Sequence, residues 1–180
     1  MTTARAVTVA PSMRPLLLAI LLAVAALLGG RALDRPAPRD GTVTRVIDGD
    51  TVHVRVHGRD ETVRLLGIDT PELHRPEVPV ECGAQQAADA MERLAEGKRV
   101  TLVRDPTQDR RDQYGRLLAY VQHGGADLGE ALIREGWADV YVYDGRPVRR
   151  IGAYRRAFAA ARSGRRGVQA LCGGDYHSAS

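Results

Sequence analysis

The chain has 180 residues, enough for one domain of ordinary size plus a leader or a tail rather than for several domains. Apolar residues make up 44% of it, a normal share for a globular protein, and the formal net charge is +4. This charge favours polyanions such as nucleic acid or anionic lipid only weakly. Much of the excess is arginine near the C-terminus, which suits a solvated helix face equally well.

The N-terminus carries an uncharged apolar run from Leu16 to Leu28, preceded by Arg5 and Arg14. A basic segment followed by such a run is typical of a secretory signal peptide. The run is short for a transmembrane helix, which needs roughly 17–25 residues, but a slightly short, uncleaved anchor is the alternative. We therefore predict that residues 1–32 are a signal peptide, cleaved after Ala32, or an N-terminal membrane anchor. In either case the protein is expected to be secreted or anchored at the cell surface.

A polar, proline-rich linker is predicted over residues 33–40, and strand patterns begin at Gly41. Three strands are expected over 42–47, 51–57 and 61–68. In the second of them valine and polar residues alternate strictly. The short turn signals between them, such as the DGD that begins at Asp48, predict an antiparallel meander.

Helical spacing of apolar residues then predicts a helix over 84–97, ended by Gly97, and a second over 127–136, ended by Gly136. Two more strands are expected over 98–105 and 115–123, a short extended segment over 141–143, and a basic third helix from about Val148 to Ser163. This order favours an α+β fold built on a five-stranded barrel with three helices. The OB-fold, whose sheet face and loops bind oligonucleotides or oligosaccharides, is the leading candidate.

The chain has two cysteines, Cys82 and Cys172. In an exported protein an even pair commonly forms a bridge, so we predict a Cys82–Cys172 disulfide that ties the C-terminal tail to the loop near Cys82. Two free buried thiols are the alternative, and two isolated cysteines fit no metal motif.

Acidic residues cluster at two strand ends, in the segments IDGDT and IDTPE. A meander can bring the start of its second strand beside the end of its third, so that Asp50 and Asp69 converge. Two facing carboxylates repel unless a proton or a cation lies between them, and Ca²⁺ or Mg²⁺ would suit such oxygen ligands, with the Thr70 carbonyl as a further donor. Glu72 could orient or deprotonate water. The alternative is ordinary turn-forming acids, and for Asp48 we favour that or a supporting role.

Two arginines accompany these acids. Arg64 lies within the third predicted strand, where a lone charge is costly unless it is paired, and Arg116 opens the fifth. A guanidinium matches phosphate or carboxylate with two parallel hydrogen bonds. Arg64 could therefore bind phosphate, or it could form a structural bridge with Asp69 or Glu72.

The segments VIDGDTV, VRLLGIDTPE, DQYGRLLAYV and LGEALIREGWADVYVY, in this order and at this spacing, resemble the thermonuclease family, typified by staphylococcal nuclease. The resemblance spans about residues 41–168. It implies an OB-fold barrel with helices packed on it, and calcium-dependent hydrolysis of phosphodiester bonds in DNA and RNA. By the same resemblance the 5′ oxygen leaves, which gives 3′-phosphorylated products.

Position by position, the resemblance implies that Asp50, Asp69 and the Thr70 carbonyl ligate Ca²⁺. Glu72 matches the family's proposed general base or water-positioning residue. Arg64 and Arg116 match the pair that clamps the scissile phosphate.

The tyrosines that would line the nucleotide pocket are Tyr114, Tyr141 and Tyr143, and stacking on them suits sequence-tolerant binding of single strands. For Tyr141, aromatic cover of a small barrel is the alternative. Two residues depart from the family pattern: Gln113 stands where a lysine is typical, and Asp144 replaces a basic residue. Both changes are expected to affect substrate affinity rather than the catalytic set.

The predicted domain therefore covers residues 41–172, followed by a short tail over 173–180. We expect a monomeric nuclease acting on DNA or RNA. The alternatives are a non-catalytic nucleic-acid-binding OB-fold module and an exported adhesion domain that binds acidic polymer through its basic helix. The presence of the complete acidic and arginine set favours the enzyme.

Overall fold

The computed structural model describes residues 38–73 and 79–179. The predicted leader, residues 33–37 of the predicted linker and Ser180 lie outside the described residues. The described strands are β1 (Arg39–Val46), β2 (Thr51–Val56), β3 (Arg59–Leu65), β4 (Ile68–Asp69), β5 (Arg99–Val103), β6 (Leu117–His123), β7 (Ala126–Asp127) and β8 (Asp139–Val140). The helices are α1 (Ala84–Ala95), α2 (Leu128–Glu135), α3 (Ile151–Ser163) and the short α4 (Val168–Leu171).

A barrel closes, as the sequence predicts, from five strands: β1, β2, β3, β5 and β6. The main sheet has the order β3-β2-β1-β5-β6-β7, and β3 also pairs with β6. That additional pairing is parallel, with Val63 opposite Leu117, and it joins the two sides of the sheet. Closure removes the exposed edges that an open sheet of this size would present. The α+β class and the OB-fold barrel with three main helices are confirmed.

The meander forms because its apolar residues alternate. Val52, Val54 and Val56 of β2 are all buried inside the barrel, at most 5% exposed. Strand β2 pairs with both β1 and β3 in antiparallel register. The inward face of every barrel strand therefore builds one core, which α1, α2 and α3 extend with Met91, Leu132 and Tyr154.

The third predicted strand, over 61–68, is wrong as a single element. It divides into β3 and β4, because a turn at Leu66 and Gly67 interrupts it. Gly67 has φ +77°, and a Cβ there would lie 2.7 Å from a Val148 methyl carbon, so only glycine fits this turn. Beyond the turn, β4 leaves the barrel and pairs with β8.

The short extended segment expected over 141–143 is correct only in part: Val142 is extended, but Tyr143 is not. Extended pairing occurs at Asp139–Val140, and Tyr143–Gly145 forms a 3-10 turn instead. Asp144 adopts a left-handed conformation there, with φ 50°. The sequence pattern could not show this, because the pairing is fixed by the distant strand β4.

The helices follow their predicted signals. Asp127 caps α2 by accepting from the amides of Gly129 and Glu130, and Gly136 ends it in a left-handed conformation. Helix α3 begins at Ile151, three residues after the expected start. None of the helices among the described residues is long and apolar enough to cross a membrane.

Both ends of the domain extend further than predicted. Strand β1 begins at Arg39, inside the predicted linker, because Arg39 and Asp40 pair with Leu102 and Thr101 of β5. At the other end, Tyr176 is only 4% exposed. The segment predicted as a tail is therefore packed against the domain.

Candidate active site in a cleft at the barrel end

An open cleft of about 400 Å³ lies where β3 and β4 meet the loop before β6. Its lining combines acids, arginines and tyrosines from distant parts of the chain. The predicted site residues among them are Asp50, Arg64, Asp69, Glu72, Tyr114, Arg116, Tyr141 and Tyr143. Thr70 is buried next to Asp69.

Asp50 connects two elements of the site. It lies in the turn between β1 and β2 and is 5% exposed. Its carboxylate accepts from the Thr51 hydroxyl at 3.0 Å and from the Thr70 amide at 3.1 Å. The start of the second strand and the chain after β4 are therefore joined directly, as the meander predicts.

Arg64 lies between the two predicted ligands. Its Nη2 is 3.0 Å from Asp50 Oδ2 and 2.7 Å from Asp69 Oδ1. Its Nη1 donates to the carbonyls of Leu65 at 3.1 Å and Ile68 at 2.8 Å. The bridge to Asp69, one of the two sequence-based alternatives, is thus present, while contact with a phosphate stays a prediction. Burial disfavours the charge, but the neighbouring Asp50 and Asp69 raise the pKa of Arg64 above its usual value.

The acids around Arg64 nevertheless carry more negative charge than its guanidinium neutralises. Burial raises the pKa of Asp48 to about 7, and repulsion from Asp50 adds to that rise. Burial also raises the pKa of Asp69 to about 6, with Arg64 opposing and Asp50 reinforcing the shift. Asp48 accepts from the Asp50 amide at 3.1 Å, which fits the supporting role considered for it. One guanidinium does not neutralise these acids, so the cluster favours a further positive charge.

The donor chemistry fits a hard cation. Carboxylate oxygens of Asp50 and Asp69 and the carbonyl of Thr70 are the oxygen donors that calcium or magnesium takes. Among residues 38–73 and 79–179 no group of three or more histidine, cysteine or acidic side chains is arranged to hold a metal. The predicted ligand set contains only two such side chains, Asp50 and Asp69, plus the Thr70 carbonyl. Metal binding by this set therefore stays a prediction.

Glu72 follows Pro71 on the rim of the cleft and is half-buried. Its amide donates to Glu81 Oε2 at 2.7 Å. Glu81 in turn donates its amide to the Glu72 carbonyl at 3.1 Å. Sequence reasoning did not identify Glu81, because nothing local relates it to a residue nine positions away.

Arg116 is held by an acid that sequence reasoning also missed. Asp112 accepts from Arg116 Nε at 2.6 Å and from its amide at 2.9 Å. The Arg116 guanidinium carbon lies 5.3 Å from the centre of the Tyr114 ring. An Asp three residues before Gly115 is a turn signal that could have identified Asp112.

The three predicted pocket tyrosines all line the cleft and present their rings to solvent, with Tyr114 the most exposed at 74%. Tyr141 is 41% exposed, which weakens the alternative of aromatic cover for the barrel. Exposed rings beside arginines provide flat surfaces for stacking.

A second buried acid lies close in sequence to two residues that line the cleft. Asp105 is 2% exposed and precedes Gln108 and Asp109, which line the cleft. It accepts from the Tyr120 hydroxyl, from Thr107 and, at 2.7 Å, from the Arg149 amide. Burial raises the pKa of Asp105, but these hydrogen bonds outweigh burial and lower the pKa overall.

The predicted disulfide between Cys82 and Cys172 is present. It brings the C-terminal segment to the cleft, where His177 Nε2 lies 3.5 Å from Asp69 Oδ2. His177 Nδ1 lies 3.2 Å from Glu81 Oε2. No local pattern in the sequence pointed to His177.

Comparison with known proteins shows which family the chain resembles. The family model described as staphylococcal nuclease homologue matches residues 62–169, more than half of the chain. Endonuclease YncB of Bacillus subtilis is 43% identical over 104 residues, which cover 57% of this chain and 49% of that protein. The SPbeta prophage-derived endonuclease YokF of the same organism is 43% identical over 106 residues, 58% of this chain and 36% of that protein.

The thermonuclease of Staphylococcus hyicus is 40% identical over 101 residues, 56% of this chain and 59% of that protein. The chain thus matches between about a third and three fifths of the length of these relatives. The barrel, the cleft at its end and the family match lead to one conclusion: the chain belongs to the staphylococcal nuclease homologue family.

Proposed function

We propose that the protein is a calcium-dependent nuclease that hydrolyses phosphodiester bonds of DNA or RNA in this cleft. The observation that carries the proposal is the excess of carboxylate around Arg64, next to Arg116 and three exposed tyrosines. A polyanion would not enter an acidic cleft unless the excess negative charge were neutralised. A bound cation would provide that neutralisation.

Asp50, Asp69 and the Thr70 carbonyl would hold the calcium ion, which supplies Lewis-acid polarisation of a phosphate oxygen when bound. Arg64 and Arg116 would bind the other phosphate oxygens. Their hydrogen bonds strengthen as negative charge grows in the pentacoordinate transition state, and this difference lowers the barrier. Asp112 holds the Nε of Arg116, which limits how the side chain can turn.

Glu72 would orient a water molecule and accept its proton as the new oxygen–phosphorus bond forms. The bond to the 5′ oxygen then breaks, that oxygen takes up a proton from solvent water, and the products are a free 5′-hydroxyl end and a 3′-phosphorylated end. Tyr114, Tyr141 and Tyr143 would stack on bases or donate to phosphates. Such contacts tolerate any sequence and favour single strands, whose bases are accessible.

The second candidate is a non-catalytic nucleic-acid-binding module on the same barrel. The complete set of Asp50, Arg64, Asp69, Glu72 and Arg116 in one cleft favours the enzyme. We further propose that the protein acts outside the cytoplasm, as a monomer, either released or held by residues 1–32. The disulfide supports this location, because structural disulfides persist in oxidising compartments.

The test is cleavage of single-stranded DNA by the chain without residues 1–32, with calcium and with a chelator. We expect cleavage that requires calcium and leaves 3′-phosphate ends. Glu72→Gln and Arg116→Ala should each reduce the rate by about 10²–10⁴-fold. Binding of the DNA without any cleavage would support the non-catalytic module. Cleavage that both substitutions leave intact would refute the site.

A further inference from the structure

The residues after the disulfide form a segment that we call the C-terminal strap, residues 172–179. Its anchor is Tyr176, which is 4% exposed and donates its hydroxyl to the Gly136 carbonyl at 3.1 Å. The Tyr176 ring also packs against Phe158 of α3, with 6.1 Å between ring centres. The strap is therefore attached to the body of the domain at a point beyond the disulfide.

Beyond Tyr176 the strap reaches the segment that follows Glu72. The Cys82 amide donates to the Ser178 carbonyl at 2.8 Å, and Glu81 forms an antiparallel bridge with Ala179. The disulfide between Cys82 and Cys172 fixes the same segment from a second direction. Residues 81 and 82 are thus held by both ends of the strap.

Glu81 connects the strap to Glu72 in the cleft. Its carboxylate is 5% exposed, and its Oε2 accepts from the Glu72 amide at 2.7 Å. The same oxygen lies 3.2 Å from Nδ1 of His177. A buried carboxylate with these partners keeps its position, because losing either partner would leave a buried polar group poorly satisfied.

We propose that Glu81 is a positioning residue for Glu72 and that the C-terminal strap, through His177 and the disulfide, holds Glu81 in place. This role rests on the proposed function, in which Glu72 acts on water. A carboxylate that must meet one water molecule works only if its backbone is fixed, because small displacements of a reacting group reduce rates strongly. The strap supplies that fixation from a segment far along the chain from Glu72.

The first measurement does not depend on cleavage. Amide hydrogen exchange at Glu72, followed by NMR in protein freed of metal by a chelator, reports the hydrogen bond to Glu81. Glu81→Ala should speed this exchange by about 10-fold, and Glu81→Gln, which keeps an acceptor oxygen, should stay near wild type. Glu92→Ala, a change at an exposed glutamate of α1, is the control and should have no effect.

The second measurement separates positioning from binding. Glu81→Ala should lower kcat for single-stranded DNA by about 10-fold and change KM by less than about twofold, while Glu81→Gln restores most of the loss. His177→Ala should give a smaller change in the same direction. The double variant Cys82→Ser, Cys172→Ser should also speed exchange at Glu72, which keeps the test available if Glu81→Ala does not fold.

The proposal would be overturned if exchange at Glu72 stayed unchanged in Glu81→Ala. It would also be overturned if exchange stayed unchanged in both His177→Ala and the double cysteine variant. A loss of kcat that Glu81→Gln does not restore would overturn it as well. If the wild-type protein cleaves no nucleic acid, the proposed function fails, while the exchange measurement still decides whether the strap holds Glu72.

Discussion

Two arrangements of acids near the cleft differ in how well they are satisfied: the buried Asp105, and the partly buried Asp48 and Asp69 beside Asp50. Asp105 accepts hydrogen bonds from Tyr120, Thr107 and Arg149, and its pKa is lowered. Asp48 and Asp69 crowd against Asp50 with Arg64 as the nearby cation, and their pKa values rise to about 7 and about 6. The first arrangement is complete as it stands and stabilises the fold. In the second the carboxylates repel one another, and this repulsion is the reason for the proposed cation site.

Of the acids Asp48, Asp69 and Asp105, Asp69 should produce the largest effect when it is replaced. Asp69→Asn removes a predicted metal ligand and should slow DNA cleavage by about 10²–10³-fold. The midpoint of thermal unfolding in chelator should not fall, because the neutral amide removes part of the repulsion. A kinetic assay and a thermal scan on the same preparation measure both quantities. A clear loss of stability with retained activity would show that Asp69, like Asp105, serves the fold rather than a ligand.

Replacing Asp105 should give the opposite result. In Asp105→Asn an amide group faces donors that need an acceptor, and the free energy of unfolding should fall by about 1–3 kcal/mol. Activity measured well below the unfolding midpoint should stay close to wild type, since Asp105 does not line the cleft. Denaturant unfolding together with the cleavage assay tests this. A loss of kcat without a loss of stability would place Asp105 in the mechanism.

The raised pKa values also predict a pH dependence. A carboxyl group whose folded-state pKa lies above its unfolded value stabilises the fold fully below the unfolded pKa. That stabilisation is lost as the pH rises through the folded pKa. For Asp69 and Asp48 this window runs from near the ordinary value of 3.8 up to about 6 and about 7.

The metal-free protein should therefore lose part of its thermal stability between about pH 5 and pH 8. Asp48→Asn should reduce that loss by a few degrees, roughly the effect of 1 kcal/mol on a domain of this size. Thermal scans across this pH range, with chelator, provide the measurement. An identical pH profile for wild type and Asp48→Asn would show that Asp48 carries no excess charge.

Much of this fold could be predicted from the sequence because its signals are local. Valine alternation in β2, the glycine that ends α2 and the spacing of apolar residues in α1 each act within a few residues. The convergence of Asp50 and Asp69 also followed from the meander. The break at Gly67 did not, because apolar residues continue across it and the close contact that requires glycine there comes from the distant Val148.

The supports of the site were the hardest part to predict. Asp112 lies four residues from Arg116 and could have been found from its turn signal. Glu81 and His177 could not, since their contact spans 96 positions and depends on how the disulfide and Tyr176 place the C-terminus. Sequence patterns locate residues on elements, whereas contacts between distant segments follow from packing.

A calorimetric titration of calcium into the metal-free protein, at about pH 6.5 and in two buffers of different ionisation enthalpy, is the direct test of the proposed calcium site. We predict one bound ion with release of protons, because the acids with raised pKa values must ionise when the cation binds. Binding should be lost in Asp69→Asn and retained in Asp105→Asn. No calcium binding by the wild-type protein, or binding that Asp69→Asn leaves at full affinity, would contradict it.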